Sequence, residues 1–108
     1  MEGIVGWIGV DLDGTLAVRN HGDSLYTIGA PVRPILELVK SWLAAGRDVR
    51  IFTARASDPD QVPVIQVWCQ AHLGQVLPVT ATKDYEMEEL WDDRAVSVMP
   101  NTGRWCRC

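Results

Sequence analysis

A chain of 108 residues, 47% of them apolar, is long enough for one packed domain, and a formal net charge of −4 argues against a broad nucleic-acid-binding surface, although Arg104 and Arg107 make the last residues locally basic. No apolar run reaches membrane-spanning length, and Met1-Glu2-Gly3 lacks the basic start of a secretory leader. Without a leader, the three cysteines (Cys69 in a helical pattern, Cys106 and Cys108 at the end) are expected to be reduced thiols in a cytoplasmic protein.

The apolar run over residues 4–10 predicts a buried first strand, ending at Asp11-Leu12-Asp13-Gly14-Thr15. Residues 14–31 are dense in turn formers and predict a loop, with a small hairpin turning near Asn20-His21-Gly22-Asp23. Over residues 32–45, Val32, Ile35, Leu36, Val39, Trp42 and Leu43 recur at 3.6 spacing, predicting a helix that Gly46 ends. Residues 48–52 read as a second strand ending at Thr53-Ala54-Arg55. A second helix follows to about His72, with Ser57, Asp58 or Asp60 as cap and Val64, Val67, Trp68 and Ala71 expected inward. Residues 76–80 form a third strand, placed at an edge by Pro78, and residues 86–91 a fourth, ending at Asp92-Asp93. Residues 96–99 are a short fifth strand, before a tail over 99–108. Strands alternating with helices predict a single α/β domain over 1–108, a three-layer Rossmann-like fold with a mainly parallel five-stranded sheet.

Every polar cluster of chemical interest follows a predicted strand: Asp11/Asp13, Thr53/Arg55, Lys83 and Asp92/Asp93. Open parallel sheets bind ligands beyond the carboxyl ends of their strands, so these clusters converge on one crevice. Two carboxylates at period-2 spacing repel one another unless a cation lies between them, so the pair suggests either a divalent metal or a proton-transfer couple. Several carboxylates favour a hard cation such as Mg²⁺, and a lysine with a threonine beside them suits a phosphoryl group.

The order Asp-Leu-Asp-Gly-Thr-Leu, Phe-Thr-Ala-Arg, Thr-Lys-Asp and Leu-Trp-Asp-Asp-Arg-Ala resembles the four signature motifs of the haloacid dehalogenase (HAD) superfamily, over residues 11 to 93. The wording around the motifs is most similar to small bacterial and phage members. The resemblance implies a phosphatase in which Asp11 attacks phosphorus to give an aspartyl-phosphate and Asp13 is the general acid/base. It implies that Thr53 and Lys83 hold the phosphoryl group. It further implies that Asp92 ligates Mg²⁺ with Asp11 and the Asp13 backbone carbonyl, and that Asp93 assists. Arg55 either contacts substrate or pairs with Asp58 or a sheet-edge carboxylate. Members of the superfamily usually carry a cap domain, inserted after the first motif or between the second and third. Here those gaps hold only residues 16–31 and 57–75, so no cap domain fits, and an open site is expected.

Taken alone, Asp11/Asp13 also suits a calcium turn, Asp92/Asp93 a helix cap, and Lys83 a surface residue. Competing functions are a phosphatase of nucleic-acid ends or nucleotides, a phospho-acceptor signalling module, and a non-catalytic subunit with a vestigial site. Receiver-like modules order their acidic pair before the acceptor aspartate, the reverse of the order here. The expected partner is a phosphorylated substrate, small or a macromolecular end, with no membrane. The edge strand and five tryptophans leave homo-oligomerisation open, with Trp105 the exposed candidate for a partner contact.

Overall fold

The computed structural model describes residues 6–19 and 27–107; Ile4, Val5, the turn expected at 20–23 and Cys108 lie outside them. Four strands, β1 (Trp7–Val10), β2 (Asp48–Phe52), β3 (Val79–Thr80) and β4 (Met87–Trp91), form one sheet in the order β3-β2-β1-β4, every pair parallel. The first strand is therefore central and buried along its length, while β3 lies at an edge, as Pro78 implied. This is an α/β, broadly Rossmann-like arrangement.

Helix α1 (Arg33–Ala44) buries Leu36 and Val39, with Ile35, Trp42 and Leu43 packed beside them, the stripe read from the sequence. Helix α2 (Gln61–Leu73) ends at Gly74, whose φ of 80° suits a residue without a Cβ. Its buried face is Ile65, Trp68, Cys69 and Leu73, so the expected inward set is corrected: Trp68 holds, Val64 is only half-buried, and Val67 and Ala71 face outward. The helix is apolar on most sides, so periodicity did not fix its phase. Packing did, together with the Trp68 indole N–H, which donates to the Gly29 carbonyl at 3.1 Å.

Alternation along the strands divides the sheet into two faces. Ile8, Val10, Val49 and Ile51 pack with both helices in the core, and α1 and α2 touch each other. The opposite face carries Trp7, Arg50 and Phe52. There the Trp7 indole N–H donates to Asp84 Oδ1 at 2.8 Å, in the connection from β3 to β4, and the Arg50 guanidinium lies 4.6 Å from the Trp7 ring centroid. Among the described residues both α-helices belong to the core side, so no helix forms the expected third layer on this second face, which the short connection reaches through Asp84. The connection holds too few residues for a crossover helix.

The sheet has four strands, not five. The expected fifth strand, β5 (Ser97–Val98), pairs antiparallel with β6 (Trp105–Cys106) in a separate two-stranded sheet, so the expected tail is half of a hairpin. Pro100-Asn101-Thr102-Gly103 makes the turn, with φ of 66° at Asn101 and 75° at Gly103. Cys69 is a buried free thiol that burial pushes up to about 11. Cys106 is disulfide-bonded, which corrects the expectation of reduced thiols throughout; it lies on the exposed hairpin, not in the core. No helix among the described residues is long and apolar enough to cross a membrane.

Candidate active site

Three of the four polar clusters meet at the carboxyl end of the sheet. Asp11 continues β1 and its N–H donates to the Trp91 carbonyl at 2.8 Å, which ties the end of β1 to the end of β4. Leu12 turns into the core, and its carbonyl accepts the N–H groups of Leu16 at 3.1 Å and Ala17 at 2.8 Å. The backbone is thereby folded back on itself, with Asp11 and Asp13 half-buried on either side of an anchored leucine. Gly14 has φ of 92°, and a Cβ there would lie 2.5 Å from both Arg19 Nη2 and Asp93 Oδ2. The motif thus needs glycine both for the turn and for the side chains that close over it. Residues 16–18 and 30–32 run side by side, with Val18 N–H on the Ala30 carbonyl and Val32 N–H on that of Leu16, at 2.8 and 2.7 Å. These are the flanks of the expected small hairpin. The interval 57–75 is taken up by the crossover to α2 and holds no cap domain.

One carboxylate oxygen from each of Asp11, Asp92 and Asp93 lies within 4.8 Å of the other two. Desolvation by burial, followed by the hydrogen bond to Asp93 and the charge of Asp92, pushes the Asp11 carboxyl up to about 7. Burial also works against ionisation of Asp93, but hydrogen bonds from Arg19, Asp11 and Thr15 outweigh it and hold Asp93 below the ordinary carboxylate range. The two carboxyls are thus pushed in opposite directions, Asp11 upward and Asp93 downward. The Thr15 hydroxyl stands between them, 3.2 Å from Asp93 Oδ1 and 3.4 Å from Asp11 Oδ2, and accepts the Asp93 N–H at 3.0 Å.

Asp13 is held differently. Arg55 grips it in a two-pronged ion pair, Nε to Oδ2 at 2.8 Å and Nη2 to Oδ1 at 2.9 Å, and also donates to the Thr27 carbonyl at 3.1 Å. Of the two roles left open for Arg55, pairing with a carboxylate is the one seen, and the carboxylate is Asp13, not Asp58. The Asp13 carbonyl accepts from Arg19 Nη2 at 2.8 Å, and the same nitrogen donates to Asp93 Oδ2 at 2.7 Å. Thr53 is buried; its hydroxyl oxygen accepts the Arg55 N–H at 3.2 Å, which leaves its proton free to donate. Asp92 Oδ1 accepts the Arg94 N–H at 2.7 Å. An open cleft of about 310 Å³ joins Asp11, Asp13 and Asp92 to Thr53 and to three arginines, Arg19, Arg55 and Arg94. Lys83 is exposed and lines a separate depression with Asp84 and Tyr85.

The donor set fits a divalent cation. Three hard carboxylate oxygens converge, and burial together with Asp92 and Asp93 disfavours the charged form of Asp11, a penalty that a cation among them would relieve. Asp11, Asp92 and Asp93 would hold Mg²⁺. The Asp13 carboxylate is committed to Arg55, and its carbonyl is available only when Arg19 releases it. Sequence reasoning missed Arg19 and Arg94. Arg94 follows Asp92-Asp93 directly and was legible by position; Arg19 sits in a loop whose path the sequence did not fix.

These pKa directions have a testable consequence in chelator-treated protein. Asp11 binds its proton more tightly folded than unfolded, so its contribution to stability is full below about 4 and lost as pH rises toward 7. Asp93 acts in the opposite sense, at lower pH. Over pH 5–8 Asp11→Asn is expected to flatten the fall in melting temperature. Mg²⁺ at about a hundredfold excess over its Kd should stabilise the wild type by about 2.7 kcal/mol. Calorimetric melts with chelator and with Mg²⁺ check both.

No protein-family model and no curated protein matches this chain. Among solved structures, a conserved protein from Bacteroides thetaiotaomicron is similar with a TM-score of 0.63, over 87% of this chain and 80% of its own, at 19% sequence identity. The likeness extends to the fold alone: that protein shares the α/β scaffold described above over most of its length.

Proposed function

We propose that this chain is a HAD-type, Mg²⁺-dependent phosphomonoester hydrolase acting through an aspartyl-phosphate on Asp11. The observation that carries the reading is the placement of Asp11 at the end of the central strand, its carboxylate grouped with Asp92 and Asp93 in the same cleft as Asp13 and Thr53.

In the first step an Asp11 oxygen bonds to phosphorus as the ester P–O bond breaks, and the departing oxygen takes a proton from Asp13. In the second, water attacks the same phosphorus and gives its proton to Asp13; the bond to Asp11 breaks and phosphate leaves. Mg²⁺, when bound, supplies positive charge that relieves the repulsion between carboxylate and phosphoryl group. Arg55 positions Asp13, and the pair must loosen as substrate enters, because both Asp13 oxygens are taken in the free protein. Thr53 offers its hydroxyl proton to a phosphoryl oxygen. Charge neutralisation, the part expected of Lys83, falls in this reading to Arg19 and Arg55 of the cleft, since Lys83 is exposed and lines a separate depression.

The test is phosphate release from an aryl phosphate, measured with Mg²⁺ and with chelator. Activity that requires Mg²⁺ and survives Lys83→Ala within about tenfold, roughly 1.4 kcal/mol, supports the reading. No release under either condition defeats it. A Lys83→Ala protein as inactive as Asp11→Asn returns the charge role to Lys83.

A further inference from the structure

The three guanidinium groups of the cleft are not equivalent. Arg55, after β2, is bound to Asp13, and Arg19 is bound to Asp93 and the Asp13 carbonyl. Arg94, after β4, also lines the cleft, but among the described residues its guanidinium has no hydrogen-bond or ion-pair partner. Its backbone is nonetheless fixed, because its N–H donates to Asp92 Oδ1 at 2.7 Å. The sheet order places β1 between β2 and β4, so Arg55 and Arg94 flank the central aspartates from opposite sides. One side of the cleft is a closed ion pair, and the other presents an uncommitted cation.

Resting on the phosphohydrolase reading above, we propose that Arg94 is a specificity-determining residue. It engages a second anionic group on the substrate, so the preferred substrates are phosphomonoesters that carry a further phosphate or phosphodiester near the scissile ester. A guanidinium presents its donors in a planar fork that matches two oxygens of such a group. With Asp11, Asp92 and Asp93 balanced by a divalent cation and Asp13 by Arg55, Arg94 gives the β4 side of the cleft a positive charge free to select substrate. Among the described residues no cap domain covers this side, so the second group can belong to a small molecule or to a nucleic-acid end.

The experiment has two readouts. The first is the ratio of kcat/KM for a nucleoside 3′,5′-bisphosphate to that for an aryl phosphate. Arg94→Ala is expected to lower this ratio by about tenfold or more, through KM, and Arg94→Lys to restore part of it. A 5′-phosphorylated dinucleotide, assayed beside the bisphosphate, separates a nucleic-acid end from a small molecule; loss with either supports the proposal. The second readout needs no turnover. With Mg²⁺ present, the Asp11→Asn protein is titrated calorimetrically with the bisphosphate and compared with the Asp11→Asn, Arg94→Ala protein. Weaker binding without Arg94, by about tenfold, supports the proposal even if the wild type releases no phosphate, in which case only the hydrolase reading falls. Equal binding by the two proteins, no binding by either, or an unchanged kcat/KM ratio overturns it.

Discussion

Asp11→Asn is expected to lower Mg²⁺-dependent phosphate release by about 10³-fold or more, with the folded state retained. Asparagine keeps the shape of the side chain but has no anionic oxygen to bond to phosphorus. The loss should appear in kcat, because Asp11 acts on the reacting atom and Thr53 still binds the phosphoryl group. Folding should not suffer. The Asp11 carboxyl is crowded by Asp92 and Asp93, and a neutral amide removes that repulsion. Activity loss without stability loss separates a nucleophile from a structural residue. Steady-state kinetics beside a melting curve reads both.

Leu12→Ala should do the reverse, striking stability first. Leu12 is fully buried in the core between the two aspartates. Truncating such a side chain costs about 2–5 kcal/mol from lost burial and the cavity left behind. In a domain near this size that corresponds to a fall of roughly 10–20 °C or more in melting temperature. Activity measured well below the melting point should fall as well, because Leu12 is what pins the turn that presents Asp11 and Asp13. Val67→Ala is the control: Val67 is 70% exposed on the outer side of α2, and its loss should cost under about 0.5 kcal/mol. A loss of stability at Val67 equal to that at Leu12 would mean that α2 packs in the phase first read from its sequence. Denaturant titration of the three proteins decides.

Those two residues also show what the sequence could and could not reveal. The end of β1 was legible because a buried run that stops at two carboxylates leaves little freedom in where they emerge. Pro78 marked the third strand as an edge correctly. The phase of α2 was not legible, because apolar residues on most of its sides make several faces equally suitable. The fifth strand was found but assigned to the wrong sheet. Val96-Ser97-Val98-Met99 alternates as a strand should, and Pro100-Asn101-Thr102-Gly103 is the turn signal that sends it back onto Trp105 and Cys106. At the site, Asp11, Asp92 and Asp93 came together as their positions after neighbouring strands required. Arg55 and Arg19 could not be paired from sequence, since long side chains on loops reach several carboxylates and only the folded geometry selects one. Lys83 shows the limit of the strand-end rule. It follows a strand at the sheet's edge, next to Asp84, which bonds the Trp7 indole, and it lines a depression apart from the aspartate cleft.

The most direct test of the account asks whether phosphorus becomes bonded to Asp11. Enzyme turning over a phosphomonoester with Mg²⁺ is quenched in acid and treated with borohydride, which reduces an acyl phosphate to the alcohol, and the peptide containing residue 11 is then sequenced by mass spectrometry. The account predicts homoserine at position 11, absent in chelator and absent when substrate is omitted. Reduction at another carboxylate, or phosphate release with Asp11 unmodified throughout, would contradict it.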